Sequence, residues 1–426
     1  MKSLSKQPEE WTRRDFVSRA AQSFLGLSVL PIGTHAALKT IKPAKAKNVI
    51  YLYLAGGMSH IDTFDPKPEN KDVQGPVSTL KTNVPGIIVS EYLPRLARQM
   101  DQLAIVRSLM STQGAHEQGT YYMHSSYVKR GTIRHPGMGS WILKLDGLHN
   151  ERLPGNVSIN GGSRSIGSGF MESKYAPLTI GNPKEGLQDS KRPSYVSENS
   201  FRERLDLAEA LDAKFERKYD LKEVRAYKDM YADALRLMKS EDLDAFDINK
   251  EPKRMQDAYG DNSFGQGCLL ARRLVENDVR FIEVSSGGWD THTNNFTTVP
   301  DKAEELDQAL SALLTDLKER GMLDETLVVV ATEFGRTPEI NSNDGRDHSP
   351  TAFTSLLAGG GIAGGQVYGK TDAAGKYVTE NEIKIPDFNA TIAHAVGLPL
   401  DQVVTSPSAR PFTVAHKGKP VMALFG

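Results

Sequence analysis

The sequence predicts a three-layer α/β/α sandwich, in which a mostly parallel central sheet lies between two layers of helices. Three observations support this prediction. Short β-rich apolar runs recur along the chain, an amphipathic helix separates two of them, and polar clusters follow several of the runs. Strands that alternate with helices of this length are typical of parallel sheets, whose ligand sites lie beyond the carboxyl ends of the strands.

Five segments are predicted as strands. The first covers residues 48–54 and is stopped by Gly56 and Gly57. A predicted helix over residues 302–320 carries leucines on one face and charges on the other, and Gly321 ends it. A second core helix is predicted over residues 388–396. The other strand candidates are residues 103–106, 280–284, 326–331 and 354–357.

Residues 201–255 differ in composition from the rest of the chain, because they are highly charged and contain only scattered apolar residues. They are predicted to form a helical insertion or lid on one α/β domain of residues 45–426. Their charges are more typical of a solvated helix face than of a binding surface.

Composition excludes several classes of function. Lys+Arg 52 against Asp+Glu 53 leaves a net charge of -1, so no overall field favours nucleic acid or an anionic membrane. The single cysteine, Cys268, excludes an internal disulfide and a cysteine-rich zinc site, and it is predicted to be a buried apolar residue. A metal would therefore be held by His, Asp and Glu, which suit zinc, manganese, magnesium or calcium.

The amino-terminal segment has the pattern of a twin-arginine export signal. Arg13 and Arg14 are followed by Phe16, by a mildly apolar run over residues 20–32 and by small residues. The alternative is an amphipathic helix that starts with two solvated arginines. We predict a signal peptide over residues 1–37 and a periplasmic or extracellular protein. No later segment has the roughly 20 apolar residues that a membrane-spanning helix needs.

Ionisable side chains follow the predicted strands at the points where the strands end. Taken singly, each has a structural alternative: Asp290 could cap a helix, Glu333 could pair with Arg336, and a lone histidine is more often structural. Taken together at one sheet edge, they predict a metal or anion site. The candidate metal ligands are His60 and Asp62 after the first strand, Asp290 and His292 after the strand at 280–284, Glu333 after the strand at 326–331, and Asp347 and His348 shortly beyond.

Four motifs resemble the DUF1501 family, and the likeness covers nearly the whole chain after the signal. They are Gly57-Met58-Ser59-His60-Ile61-Asp62, Gly288-Trp289-Asp290-Thr291-His292, Thr332-Glu333-Phe334-Gly335-Arg336 and Gly345-Arg346-Asp347-His348. That family is placed in the alkaline-phosphatase-like superfamily, which includes phosphatases, sulfatases and cofactor-independent phosphoglycerate mutases. The resemblance implies a central sheet between helices and, in active members, one or two divalent metals beside a nucleophile.

The resemblance also implies roles for individual residues. Asp290 and His292 lie where superfamily members often have an Asp and a His for one metal, although the usual spacing is longer. Glu333 ends the strand that elsewhere leads into an Asp-His pair, and His348 resembles the histidine that completes the first metal site in the mutase branch. The first strand of active relatives ends in a metal-binding Asp. Here the equivalent position is Gly56, so His60 or Asp62 would have to substitute.

The nucleophile is the least defined part of the prediction. The matching region is residues 115–124, where His116 lies near the expected place and Thr112 and Thr120 are the nearby hydroxyls. The leading hypothesis is an exported hydrolase of a phosphate or sulfate ester, such as a sulfated or phosphorylated sugar. In it, His116 or a metal-bound water attacks and Arg336 binds the anionic oxygens.

Two other hypotheses remain open. One is an exported protein that binds a metal or ligand, keeps the fold and lacks the nucleophile. A Ser or Thr that faces the metal cluster would favour the enzyme, and an apolar wall there would favour the binding protein. The other hypothesis is a mutase, which only the segment around Asp347 and His348 suggests.

Overall fold

The structure, a computed structural model, describes residues 46–162, 166–187, 195–204, 206, 207, 210 and 241–426. The predicted export signal over residues 1–37 lies outside this part of the chain, as do residues 211–240 of the predicted insertion. The described end of that insertion contains the short 3-10 helices Glu241–Phe246 and Ile248–Lys250. The signal and the insertion stay predictions.

The strands fall into one large sheet and several small ladders. In chain order they are β1 (Asn48–Leu54), β2 (Thr79–Lys81), β3 (Ile88–Ser90), β4 (Leu103–Met110), β5 (Asn156–Ile159), β6 (Leu178–Ile180), β7 (Phe281–Ser286), β8 (Thr326–Ala331), β9 (Gly335–Arg336), β10 (His348–Ser349), β11 (Phe353–Ala358), β12 (Gln366–Tyr368), β13 (Lys370–Thr371), β14 (Val378–Glu380), β15 (Ile383–Lys384), β16 (Val404–Thr405) and β17 (Pro411–Phe412).

The large sheet has the order β12-β4-β11-β8-β1-β7-β5-β6, and β15 also pairs with β4. The strand pairs in it are parallel, except that β11 runs antiparallel to both of its neighbours. At the centre of the sheet, β1 lies between β7 and β8. Tyr53 pairs with Ser285 on one side and with Ala331 on the other, so these three strands end at the same edge.

Helices cover both faces of the sheet. In chain order, the helices of the described residues include α1 (Lys71–Gln74), α2 (His116–Ser125), α3 (Met138–Asp146), α4 (Lys253–Tyr259), α5 (Ser263–Glu276), α6 (Asn295–Glu319) and α7 (Ile385–Ala395). Alternate residues of β1 point to opposite faces, as expected for a strand. Leu52 packs in the core that α5 and α6 cover, whereas Tyr51 and Tyr53 pack in the core that α2, α3 and α7 cover. The predicted three-layer sandwich is confirmed.

The predicted elements agree with the structure at the centre of the fold. The strands predicted at 48–54 and 326–331 have the bounds of β1 and β8, and the predicted helix at 302–320 is α6, which begins earlier, upstream of Pro300. Cys268 is buried, as predicted. No helix within the described ranges is both long enough and apolar enough to cross a membrane.

Candidate metal centre

The loops that follow β1 and β7 touch at Gly56. This residue has a φ of 126°, and a Cβ atom there would collide with the backbone nitrogen of Asp290. Glycine is needed for both reasons. Gly56 therefore has no room for a side chain, and the close approach of the two loops brings Asp290 to the edge of the sheet.

Three histidines surround the Asp290 carboxylate. His116, Asp290 and His348 each offer a ligand atom, and these atoms lie within 4.8 Å of one another. His116 Nε2 is 3.1 Å from Asp290 Oδ2, and His348 Nε2 is 3.3 Å from Asp290 Oδ1. His292 Nε2 lies 2.9 Å from His348 Nε2 and 3.3 Å from Asp290 Oδ1. We call these four side chains the metal cluster.

Each imidazole of the metal cluster has a hydrogen-bond partner at its Nδ1 atom. The partner is a carboxylate or a backbone carbonyl. A backbone carbonyl and an ionised carboxylate accept hydrogen bonds and do not donate them. Nδ1 therefore carries the proton, and Nε2 of each neutral ring presents a lone pair to the cluster, as in many metal-bound histidines. The contacts are His116 Nδ1 to Glu333 Oε1 at 2.7 Å, His292 Nδ1 to Asp347 Oδ1 at 2.7 Å, and His348 Nδ1 to the Gly114 carbonyl at 2.9 Å.

These side chains fit a divalent metal ion. In their neutral forms, His292 and His348 point two Nε2 lone pairs at each other across 2.9 Å, which is repulsive unless a cation or a proton lies there. His116 Nε2 is buried and makes no hydrogen bond, although Asp290 Oδ2 lies 3.1 Å away. Three imidazoles and one carboxylate form a nitrogen-rich donor set, which suits zinc or another transition metal better than magnesium or calcium.

The protonation states also favour metal binding. Burial acts to raise the pKa of Asp290, but the hydrogen bond and charge of Arg336 outweigh it and lower that pKa to about 2. Burial lowers the pKa of His348, so its neutral, ligand form is favoured. The hydrogen bond that His116 donates to Glu333 raises the pKa of His116, so a metal there competes with a proton. The Asp290 side chain is 47% exposed, and solvent therefore reaches the metal cluster.

Arg336 does not have the role that is predicted from the sequence. Its side chain is fully buried, and its guanidinium is enclosed by backbone carbonyls and by the Asp290 carboxylate. The prediction that Arg336 binds the anionic oxygens of a substrate is wrong, because no substrate can reach it; it holds Asp290 in place instead. Its contacts are Nε to Gly57 O at 2.9 Å, Nη1 to Arg346 O at 2.9 Å, and Nη2 to Asp290 Oδ1 at 2.5 Å, to Trp289 O at 3.3 Å and to Gly56 O.

His60 and Asp62 were expected to supply ligands after the first strand, and the structure does not bring them into the metal cluster. Asp62 is fully buried, and Arg346 donates to both of its oxygens, at 2.8 and 2.9 Å. Ser59 and Asn295 also donate to this carboxylate. His60 is fully buried, with Nε2 2.7 Å from the carbonyl of Gly375. Both expectations are corrected, because these groups are enclosed by the loops that they stabilise.

Glu333 and Asp347 were also predicted as ligands, and the structure places each behind a histidine. Glu333 is buried, and besides His116 it accepts hydrogen bonds from Tyr53 Oη at 2.9 Å and from the Gly56 amide at 2.9 Å. Both oxygens of Glu333 therefore accept hydrogen bonds from other groups of the protein. Asp347 holds the ring of His292. Each carboxylate thus contacts the Nδ1 atom of a histidine of the metal cluster.

The predicted nucleophile positions carry no suitable hydroxyl. Thr112 is exposed and bonds Gln113, and Thr120 Oγ1 points into the core, 2.8 Å from Tyr53 Oη. Within the described ranges, no serine or threonine hydroxyl is hydrogen-bonded to the metal cluster. His116 belongs to the cluster, and the buried ring of Phe334 forms an apolar wall against it.

A cavity of about 430 Å³ lies away from the metal cluster. It is bordered by Lys47 and Arg280, which precede β1 and β7, so it lies at the opposite edge of the sheet. Arg280 is itself bonded to Asp146 and to His149 there. The metal cluster is an open surface site rather than part of this cavity.

The sequence matches one family model, that of the proteins of unknown function DUF1501, over residues 46–425. The chain belongs to the DUF1501 family. The resemblance inferred from the four motifs is thereby confirmed. A search of curated proteins finds no match to this DUF1501 protein.

Solved structures similar to the DUF1501 chain include members of the alkaline phosphatase superfamily. A protein of that superfamily from Vibrio parahaemolyticus is 11% identical, with a TM-score of 0.42, and the match covers 90% of this chain and 71% of that one. A protein of glycosaminoglycan metabolism from Bacteroides thetaiotaomicron is 9% identical, with a TM-score of 0.41 and coverages of 89% and 82%. The PsFucS1 sulfatase from Pseudoalteromonas sp. is 12% identical, with a TM-score of 0.38 and coverages of 82% and 68%.

Proposed function

We propose that this DUF1501 protein is an exported, metal-dependent hydrolase of phosphate or sulfate esters. The observation that carries the proposal is the convergence of three imidazole Nε2 atoms on one ionised carboxylate, at a surface that solvent reaches. A site that leaves a metal open to solvent is typical of catalytic rather than structural metal centres.

The metal that suits this donor set best is zinc, with manganese as the next candidate. A bound divalent ion would polarise the ester oxygen and offset the negative charge that develops in the transition state. His116, Asp290, His292 and His348 would hold it. Glu333 and Asp347 keep the protons of two rings on Nδ1, so that Nε2 remains available.

The attacking group in this proposal is water. No serine or threonine hydroxyl within the described residues is bonded to the metal cluster, and His116 is occupied as a ligand. Water has access because Asp290 and His292 are about half exposed. The substrate class is a small anionic ester, for which the positive charge of the ion provides local recognition in a chain of net charge -1.

We further propose export by the twin-arginine route, on the basis of Arg13, Arg14 and the apolar run that follows them. This route moves folded chains, so a metal could be loaded before export. Replacing both arginines by lysine should leave the precursor in the cytoplasm, as measured by cell fractionation. Normal export of this variant would contradict the signal.

A second candidate function is favoured by one specific observation. The ring of Phe334 packs against His116 and against His348, with centroids 5.1 and 4.5 Å apart. This is the apolar wall expected of a protein that binds a metal or ligand without turnover.

Metal analysis followed by hydrolysis assays with an aryl phosphate and an aryl sulfate separates the two functions. For the hydrolase, we expect turnover that is lost on chelation and in the variant Asp290→Asn but is kept in the control His394→Gln. His394 lies on α7 against Phe425, away from the metal cluster. Tight metal binding without turnover of either ester would favour the binding protein instead.

A further inference from the structure

Helix α2 presents a polar stripe to the sheet. His116, Thr120 and His124 are four residues apart, so they lie on one face of the helix. His124 is buried, and the sheet residues that the stripe meets are Tyr53, Glu283 and Glu333, all of them buried. The helix therefore packs on the sheet at this stripe through polar contacts, although most of the surrounding core is apolar.

The contacts form three rungs, each to a different part of the sheet edge. At the first rung, His116 Nδ1 is 2.7 Å from Glu333 Oε1, just beyond β8. At the second, Thr120 Oγ1 is 2.8 Å from Tyr53 Oη on β1. At the third, His124 Nε2 is 3.2 Å from Glu283 Oε2 on β7.

The rungs are connected to one another. Tyr53 Oη lies 2.9 Å from Glu333 Oε2, and an ionised carboxylate only accepts, so Tyr53 donates its single proton to Glu333 and Thr120 donates to Tyr53. His124 Nδ1 donates to the Thr120 carbonyl at 2.8 Å, and its ring contacts that of Tyr53 edge-on, with centroids 4.5 Å apart.

Apolar side chains at these positions could also pack α2 on the sheet, but they would fix the rotation of the helix about its own axis less precisely. Buried hydrogen bonds tolerate little displacement, because a polar group left unpaired in the core destabilises the folded chain. A small rotation or slide of α2 would break the rungs together and would turn Nε2 of His116 away from Asp290.

We infer that the three rungs are a positioning device for the metal cluster, in which Tyr53 fixes Glu333 and, through it, the ring of His116. This role rests on the proposed metal centre. Tyr53 touches no ligand atom of the cluster directly, so it is a positioning residue rather than a catalytic one.

The chain provides a matched control on the same strand. Tyr51 lies two residues before Tyr53, packs in the same core and is equally buried, but its hydroxyl has no hydrogen-bond partner. Tyr51→Phe and Tyr53→Phe therefore remove the same atom from nearly the same environment. Only Tyr53→Phe removes a hydrogen bond to Glu333.

The test is the affinity of the chain for Zn²⁺, measured by competition with a chelating dye, together with the visible spectrum of the Co²⁺ form, which reports ligand geometry. We expect Tyr53→Phe to weaken Zn²⁺ binding by roughly 10–100-fold and to change the Co²⁺ spectrum, as loss of a group that orients a ligand does. Tyr51→Phe should leave both unchanged. Thr120→Val should weaken binding in the same direction, and Thr120→Ser should preserve it.

The outcomes separate this role from the metal centre itself. If the unchanged chain binds Zn²⁺ and both tyrosine variants match it, the positioning role is overturned and the metal centre stands. If the unchanged chain binds neither ion, the metal centre is overturned and the role falls with it. Circular dichroism checks that each variant is folded, and the Thr120 pair supplies the comparison if Tyr53→Phe is not.

Discussion

Two aspartate–arginine pairs lie among the loops at the carboxyl edge of the sheet, and they differ in what surrounds the carboxylate. In the pair of Asp62 with Arg346, both side chains are fully buried and both carboxylate oxygens are bonded. In the pair of Asp290 with Arg336, the arginine is fully buried, but the carboxylate is 47% exposed and faces three histidines. Residue type alone therefore does not identify a candidate ligand. Asp290 differs from Asp62 in that solvent reaches its carboxylate and three histidines lie beside it.

The enclosed pair of Asp62 and Arg346 holds in place the loop that carries His348, which contacts Asp290 of the open pair. Arg346 also donates to the carbonyls of Pro338 and Val73, at 2.5 and 2.6 Å. It therefore anchors the segment that carries Asp347 and His348. The fully bonded pair of Asp62 and Arg346 thus holds in place a segment that lies beside the open pair of Asp290 and Arg336.

The largest effect on stability is expected at the enclosed pair. Asp62→Ala leaves the charge of Arg346 buried without its partner, which costs about 3–5 kcal/mol for pairs of this kind. We expect the free energy of unfolding, measured by urea denaturation, to fall by about that amount. A change below about 1 kcal/mol would show that the pair is not the anchor.

The difference between enclosed and open side chains also applies to histidines. His135 is enclosed in the protein, as Asp62 is. Its Nδ1 atom is 2.7 Å from Tyr121 Oη, and its ring stacks on that of Tyr127. Burial, together with the positive charges of His416 and Arg130, lowers its pKa to about 4. Between this value and the ordinary pKa of about 6.5, the unfolded chain binds a proton that the folded chain does not.

The His135 contribution to stability is therefore fully present above about pH 6.5 and is lost as the pH falls through this window. At about 1.4 kcal/mol per pKa unit, we expect a loss of roughly 2–3 kcal/mol by pH 4. Urea denaturation at several pH values measures it. His135→Gln should flatten the slope in this window, and an unchanged slope would assign the effect to other groups.

The smallest effect on stability is expected at the open pair. Without metal, Asp290→Ala should lower the free energy of unfolding by about 1–2 kcal/mol, between the values for an exposed and a buried pair, because Arg336 is buried and loses its charged partner, whereas the Asp290 carboxylate is half exposed and Arg336 keeps its carbonyl partners. The same denaturation experiment tests it. If Asp290→Ala were as destabilising as Asp62→Ala, the distinction between an open and an enclosed pair would fail.

The sequence predicts the fold better than it predicts the roles of individual residues. Strand β1 is a β-rich run with a glycine stop, and the structure brings together Asp290, His292 and His348, which the sequence analysis places after predicted strands. The enclosure of Arg336 could not be predicted, because the positions of the carbonyls of Gly56 and Gly57 depend on the path of the loop. The pairing of Asp62 with Arg346 joins residues 284 positions apart, and no local pattern marks it.

His116 shows a different kind of miss. The sequence placed it near a nucleophile position, and the structure places it among the candidate ligands because Glu333, 217 positions away, holds its Nδ1 atom. A signal was present in the four-residue spacing of His116, Thr120 and His124, which is a polar stripe on a helix that otherwise packs in a core. Such a stripe indicates that the sheet beneath it carries matching polar groups.

Metal retention by three histidine variants tests the central claim most directly. His292→Ala and His348→Ala each remove one of the few protein ligands, whereas His394→Ala changes a histidine that packs against Phe425 on α7. Metal stoichiometry and circular dichroism are measured on the three variants side by side. We predict that the first two variants lose tight metal binding and keep the native spectrum, and that the third retains the metal. Equal metal content in all three would contradict the site, and loss of the native spectrum in the first two would assign these histidines a structural role.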